Sequence, residues 1–229
     1  MAQKFDSDSF SFSQQLAVQS FIQKVYSWMA AGLLLTGLVS LWTASTPAVM
    51  QMLARGAFWV LAIAEIGLVF WLSASIHKIS AQAASTAFLI YSALNGLTLS
   101  WIFLIYTASS IATVFFITAG TFAAVSLFGW TTKADLSSLR GYMVMALIGL
   151  VIASVVNMFI QSTPFYWILS YAGVAIFIGL TAYDTQRLKE LHYTGGGSSQ
   201  MAIQGALMLY LDFINMFIYL LRIFGRRRD

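Results

Sequence analysis

The sequence predicts an all-α membrane protein of seven transmembrane helices, and three observations carry that prediction. Of the 229 residues, 59% are hydrophobic and only 9% charged, with a mean hydropathy of +0.80, a balance that no soluble domain of this length tolerates. Seven apolar runs of about 20 residues, enough to cross the hydrocarbon of a bilayer, follow one another along the chain. The gaps between them are too short to hold a second domain, so the chemistry must lie in or between helices.

The first run, 26–44, follows a polar segment, 1–24, in which Phe5, Phe10, Phe12 and Phe21 are mixed with Ser, Gln, Asp6 and Asp8. That segment lacks the short basic start and apolar core of a cleavable secretion signal. The second run, 57–76, carries Glu65 in its middle, and the third, 83–105, carries Asn95. The fourth, 111–130, holds no acid, and the fifth, 142–160, contains Asn157. The sixth, 165–184, ends on Asp184, and the seventh, 203–224, contains Asp212. Its 22 residues span about 33 Å at about 1.5 Å per residue, which favours a full crossing over a re-entrant segment. Trp28, Trp42, Trp59, Trp101, Trp130 and Trp167 stand near run ends, as an interfacial belt requires. Gly32, Gly37, Gly96, Gly149, Gly173 and Gly179 are positions for close helix approach. The organisation is therefore a polar N-terminal segment over 1–24, a transmembrane domain over 25–225 and an Arg-rich tail over 226–229.

Charge sets the orientation. Lys4, Lys24, Lys78, Lys133, Arg140, Arg187 and Lys189 fall on the side of the N-terminus, against Arg55 in the opposite loops. Cytoplasmic loops attract Lys and Arg, so the N-terminus is expected in the cytoplasm. Arg222, Arg226, Arg227 and Arg228 then lie on the far side after seven crossings. The formal charge of +4 reads as an orientation and lipid-headgroup signal. With no soluble basic domain, a nucleic-acid partner is not expected. No cysteine occurs, and the two histidines, His77 and His192, sit at predicted helix ends, so neither a metal centre nor another cofactor is expected.

Function concentrates on the acids. A carboxylate near the bilayer midplane is unfavourable by at least about 2.5 kcal/mol, so Asp212 must be protonated, partnered or wet. Asn215, Tyr219 and Arg222 follow it at +3, +7 and +10, a polar seam along one helix. Such a seam also serves as helix-packing glue. Asp184, three residues before Arg187, also reads as half of a surface ion pair. Yet residue 198, in the Gly195-Gly196-Gly197-Ser198-Ser199 stretch, is the midpoint of 184 and 212. If helix six continues to His192, as Leu188 and Leu191 allow, a hairpin brings the two aspartates to one depth. Two carboxylates in contact cannot both ionise cheaply, so the pair would share a proton and sense pH. Glu65, Asn157, Asn215, Arg222 and Lys78 are the supporting or pathway candidates, and Glu65, Asp184 and Asp212 are the members of a conceivable proton relay.

The segments AYDTQRLK (182–189) and LYLDFINMFIYLLRIFG (209–225), with Asn157 in VVNMF, resemble the bacterial branch of the Bax inhibitor-1 family, also called transmembrane Bax-inhibitor-motif proteins. The likeness covers helices two to seven and is weak in the first. It implies six helices around a central seventh and a pH-sensitive calcium leak in the bacterial inner membrane. The gate is a hydrogen-bonded aspartate pair, here Asp184 and Asp212, which are also the expected transient oxygen ligands of the transported Ca²⁺. Some members carry an arginine near the cytoplasmic end of helix two that pairs with this dyad. Here that stretch reads FWLSASIHK, which places Ser73, Ile76, His77 or Lys78 there. Eukaryotic relatives suppress cell death, and bacterial ones are linked to membrane-protein quality control through a membrane protease.

Two other functions compete with the leak. An intramembrane aspartyl protease also sets Tyr-Asp in one helix, as in Tyr183-Asp184, but it needs Gly-x-Gly-Asp where this chain has Leu209-Tyr210-Leu211-Asp212, and a Pro-Ala-Leu element that neither Pro47 nor Pro164 supplies. An enzyme is therefore not expected. A regulatory interaction protein, with the seam binding another membrane protein, is the alternative.

Overall fold

The seven apolar runs are helical in the computed structural model, the third with a turn at Ser100–Trp101; the structure describes residues 2–194 and 196–228, with side chains for 16–192 and 196–228. The side chains of Lys4, Phe5, Asp6, Asp8, Phe10 and Phe12, together with Gly195 and Asp229, lie outside the described residues. The helices are α1 (Ala2–Ala44), α2 (Pro47–Met52), α3 (Phe58–Ser75), α4 (Ala81–Leu99), α5 (Ile102–Ile105), α6 (Ala108–Thr131), α7 (Arg140–Ile160), α8 (Thr163–Thr194) and α9 (Ser199–Phe224). Among the described residues, seven stretches are long and apolar enough to cross a membrane: Leu16–Ala44, Pro47–Ser75, Ala81–Ile105, Ala108–Thr131, Ser137–Ile160, Thr163–His192 and Ser199–Phe224.

Three elements run longer than the apolarity of the sequence indicates. The polar segment 1–24 is helical from residue 2, continuous with the first span. No Gly or Pro interrupts residues 2–31, and Val18, Phe21, Val25 and Met29, all buried, form one stripe at helical spacing. The second span starts at Pro47, an imino acid suited to the first helical position, and passes through a π-helical turn, Leu53–Ala57, before α3. That turn is possible because Gly56 takes φ 114°, which a side chain would oppose. Arg55, expected in an open loop, therefore sits in this turn. Helix α8 continues ten residues past Asp184 to Thr194, with Leu188 and Leu191 buried on its inner side. Gly196 and Gly197, at φ 59° and 66°, then reverse the chain.

The chain divides into two compact units. The first comprises residues 1–43, 47–98 and 188–207, and its helices meet at small residues. Thr36 Oγ1 donates to the Ser92 carbonyl and Ser40 Oγ to the Gly96 carbonyl, both at 2.8 Å. Gly32 abuts Phe88 and Ser92, and Gly205 abuts Leu188 and Val25, so bulk at either glycine would push helices apart. Gly37 and Gly149, by contrast, have open space around them and are not approach points.

The second unit comprises residues 44–46, 99–187 and 208–229. Its core is aromatic. Phe213 meets Phe115 and Phe122 edge-on, both at 5.5 Å, and Tyr219 stacks on Phe177 at 5.9 Å over the bare backbone of Gly173. Aromatic pairs in these arrangements add about 0.5–1.5 kcal/mol beyond their area.

Exposure separates the spans by role. Ile63, Phe70, Phe116 and Phe159 are all at least 70% exposed, a surface suited to acyl chains and untenable in water. Only 6% of the apolar window is buried in the Pro47–Ser75 and Ser137–Ile160 spans, against 56% in α9. Helix α9 is the most enclosed of the seven, as the family resemblance implies for its seventh helix.

Candidate functional site: the aspartate pair

Asp184 on α8 and Asp212 on α9 both belong to the second unit, and they lie close enough to interact electrostatically. The continuation of α8 beyond Asp184 achieves this, because it moves the reversal of the chain to residues 196–198. Asp184 is half-buried, whereas Asp212 is 4% exposed. Its Oδ2 is buried and has no hydrogen-bond partner among the described residues. An unsatisfied buried acceptor costs about 1–3 kcal/mol, and more when charged.

The charge around the pair is asymmetric. The guanidinium groups of Arg187 and Arg140 act on Asp184, Arg187 from the next turn of α8 and Arg140 from the exposed start of α7. The helix-two candidates belong to the first unit, where Ser73, His77 and Lys78 are exposed and Ile76 is buried.

A loop packs on the stretch of α8 around Asp184, against Ala182, Tyr183 and Gln186. The α6–α7 connection bears Leu136, which packs with Ala182, Tyr183 and Val125 in a small apolar cluster. Gln186 clamps it at two points, accepting from the Leu136 N–H and donating to the Ala134 carbonyl, both at 2.8 Å. On the other side Gly129 of α6 presses against the Ala182 backbone, and Thr185 Oγ1 lies 3.4 Å from Ser126 Oγ. Sequence reasoning missed Gln186, Leu136 and Arg140. The legible signal was Leu136, an apolar side chain in the polar run TTKADLSSLR. At the rim of this loop Asp135 is exposed, and hydrogen bonds from Ser137 hold its carboxyl below the usual carboxylate value.

The supporting candidates separate. Asn215 Nδ2 donates back to the Leu211 carbonyl of its own helix at 2.8 Å. Asn157 Oδ1 accepts from the Ser162 N–H at 3.2 Å and closes the turn between α7 and α8. Arg222 lies over the Tyr219 and Tyr166 rings, at 4.9 and 5.7 Å. It is ten residues from Asp212, about 15 Å along the helix, so Asn157 and Arg222 do not reach the aspartates. Glu65 is a separate center in the first unit, where Oε1 accepts from Thr98 Oγ1 at 2.9 Å and Oε2 from Asn95 Nδ2 at 3.2 Å. Lys78, also in the first unit, is an exposed residue after α3. Among the described residues, no group of three or more His, Cys, Asp and Glu side chains could hold a metal ion.

The Arg-rich tail is fixed at one end of the second unit. The Thr107 N–H donates to the Arg226 carbonyl at 3.0 Å and the Arg228 N–H to the Ile105 carbonyl at 2.9 Å, so the tail pairs with the α5–α6 connection. Unbroken α9, at 26 residues, is long enough for a full crossing.

The family described as "Inhibitor of apoptosis-promoting Bax1" matches residues 18–229. The chain belongs to the Bax inhibitor-1 family. Its similarity to other members extends over nearly their whole length. It is 50% identical to the inner membrane protein YbhL of Escherichia coli, over 92% of this chain and 93% of that one. A protein of Deinococcus radiodurans is 42% identical over 93% of this chain and 92% of its own, and one of Borreliella burgdorferi is 41% identical over 94% and 96%. As a member of the Bax inhibitor-1 family the chain is a multi-pass membrane protein in contact with lipid.

Proposed function

We propose that this protein is a pH-sensitive cation leak of the bacterial inner membrane, with Ca²⁺ as the transported ion and Asp184 and Asp212 as its gate. The single observation that carries this reading is the buried, unsatisfied Oδ2 of Asp212, in a unit where Asp184 is near enough to act on it electrostatically. The inner-membrane assignment draws on the name of the Escherichia coli relative, and the cytoplasmic N-terminus on the distribution of Lys and Arg.

In this mechanism a proton shared by the two carboxylates at low pH lets them stay in contact, with the Leu136 loop seated on α8. Loss of that proton makes the pair doubly anionic. The carboxylates repel, α8 and α9 separate locally, and four carboxylate oxygens face the path. Ca²⁺ takes six to eight oxygen ligands. Two carboxylates with water make an incomplete cage, which lets an ion bind briefly and leave. Arg187 and Arg140 act electrostatically on Asp184 and so enter the balance.

The test is Ca²⁺ entry into dye-loaded proteoliposomes at about pH 6, 7 and 8. Wild type is expected to pass more ion as pH rises, and Asp212→Asn and Asp184→Asn to lose that dependence. An unchanged pH profile in both variants would sink the gate. No flux above empty vesicles from folded protein would transfer the assignment to a regulatory interaction protein of membrane-protein quality control.

A further inference from the structure

The second unit carries another polar site, at the C-terminal end of α9. An open cleft of about 440 Å³ is lined by Asn157, Gln161, Ser162, Tyr166, Arg222 and Arg227, with Trp167 at its edge. It holds two arginines, and no Asp or Glu is among its described lining residues.

The Arg222 guanidinium and the Arg227 backbone are each held in place by something other than an anion. Arg222 is half-buried and rests on the faces of Tyr219 and Tyr166, an attraction that fixes the planar guanidinium without consuming its N–H donors. Arg227 belongs to the tail and pairs its backbone with Tyr106 in an antiparallel bridge. The flanking Arg226 N–H donates to Ser110 Oγ at 2.8 Å, and Arg228 Nη1 donates to the Phe103 carbonyl at 2.9 Å. The tail is thus pinned on both sides of Arg227. A cleft with one guanidinium held on aromatic faces, a second arginine on a pinned backbone, amide and hydroxyl groups and no carboxylate among its described lining residues selects an anion. Fork geometry matches the oxygens of phosphate, which accepts two parallel N–H bonds from one arginine. The start of α8 at Thr163 adds positive potential at the rim. Trp167 and Tyr166 are of the kind that sits at headgroup level.

We propose that this cleft binds a phosphate group, presented either by an anionic phospholipid headgroup or as a free anion. The proposal does not depend on the aspartate gate.

The test uses the purified full chain in detergent. Soluble short-chain phosphatidylglycerol and, separately, inorganic phosphate are titrated, with chloride at matched ionic strength as control. Retained ligand is read by native mass spectrometry and the unfolding midpoint by differential scanning fluorimetry. Saturable binding of one or both is expected, weakened about tenfold in Arg222→Gln and in Arg227→Gln, the loss typical of one charged hydrogen-bond partner. Arg226→Gln, outside the cleft lining, should bind as wild type. Saturation by the lipid alone assigns a headgroup; saturation by inorganic phosphate assigns a free anion. If Arg222→Gln fails to fold because its aromatic stacking is lost, Arg227→Gln decides alone. Binding of neither ligand, or undiminished binding by Arg227→Gln, would overturn the proposal.

Discussion

Glu65 and Asp212 are both acids in strongly apolar helices, and each sits in a different unit with a different set of partners. Glu65 has a donor on each oxygen, Asn95 on one and Thr98 on the other. Asp212 is more deeply enclosed, has another acid as its electrostatic neighbour, and leaves Oδ2 without a donor. A satisfied buried carboxylate locks the helices that supply its donors. An unsatisfied one holds free energy that only a proton, an ion or a movement can release. The contrast separates a carboxylate with a donor on each oxygen from one that lacks a donor, although the two are equally conspicuous along the chain.

The largest expected effect tests that contrast directly. Across pH 6 to 8 the Ca²⁺ flux of wild type should change on the order of tenfold, as for a single titrating proton. Asp212→Asn should flatten that response and Glu65→Gln should leave it intact. If Glu65→Gln flattened it equally, the two acids would be one pathway and the distinction would collapse.

Stability should show the reverse order. Glu65→Ala removes the acceptor of Asn95 and Thr98 and is expected to lower unfolding free energy by about 1–3 kcal/mol. Asp212→Asn removes a carboxylate that is already short of donors, so its unfolding midpoint should equal or exceed that of wild type. Urea titrations in detergent compare them. A marked loss in Asp212→Asn would mean that the carboxylate is held by its surroundings after all.

Gln186→Ala should cost about 1–2 kcal/mol, from two lost hydrogen bonds, and by loosening the Leu136 loop should raise flux at pH 6 more than at pH 8. Equal flux in wild type and variant at both pH values would show that the loop is no plug.

The smallest effect is a control. Asp135 has its carboxyl held below the usual carboxylate value by Ser137. Its stabilising contribution is therefore fully present above about pH 4, the ordinary carboxylate value, and is lost only as pH falls through the lowered one. Asp135→Asn should leave the pH 6 to 8 profile unchanged. A shift of that profile would assign part of the pH response to the loop.

Much of the architecture was legible in the residues. Runs of about 20 apolar residues mark membrane helices because lipid leaves a backbone no other way to satisfy itself. Helix ends were less legible. Apolarity stops at Asp184, whereas helix stops at Thr194, because the polar turns beyond Asp184 keep Leu188 and Leu191 at the spacing of a buried stripe. Of the supporting residues, Asn157 and Arg222 share a cleft remote from the aspartates, and Asn215 bonds its own helix. Spacing along one helix shows which side chains share a face, but not what other segments bring to that face.

By itself the sequence determined seven spans, the two aspartates placed evenly about a glycine turn, and the family to which those motifs belong. These are properties of local composition and order along one strand of chain. Only the tertiary structure decided that Asp212 keeps an unpartnered oxygen while Glu65 does not, that Arg140 acts on Asp184 while Gln186 clamps the Leu136 loop, and that two arginines line a cleft with no Asp or Glu among its described lining residues. Each of those outcomes depends on which donors distant segments deliver to a buried atom, and burial makes every missing donor count.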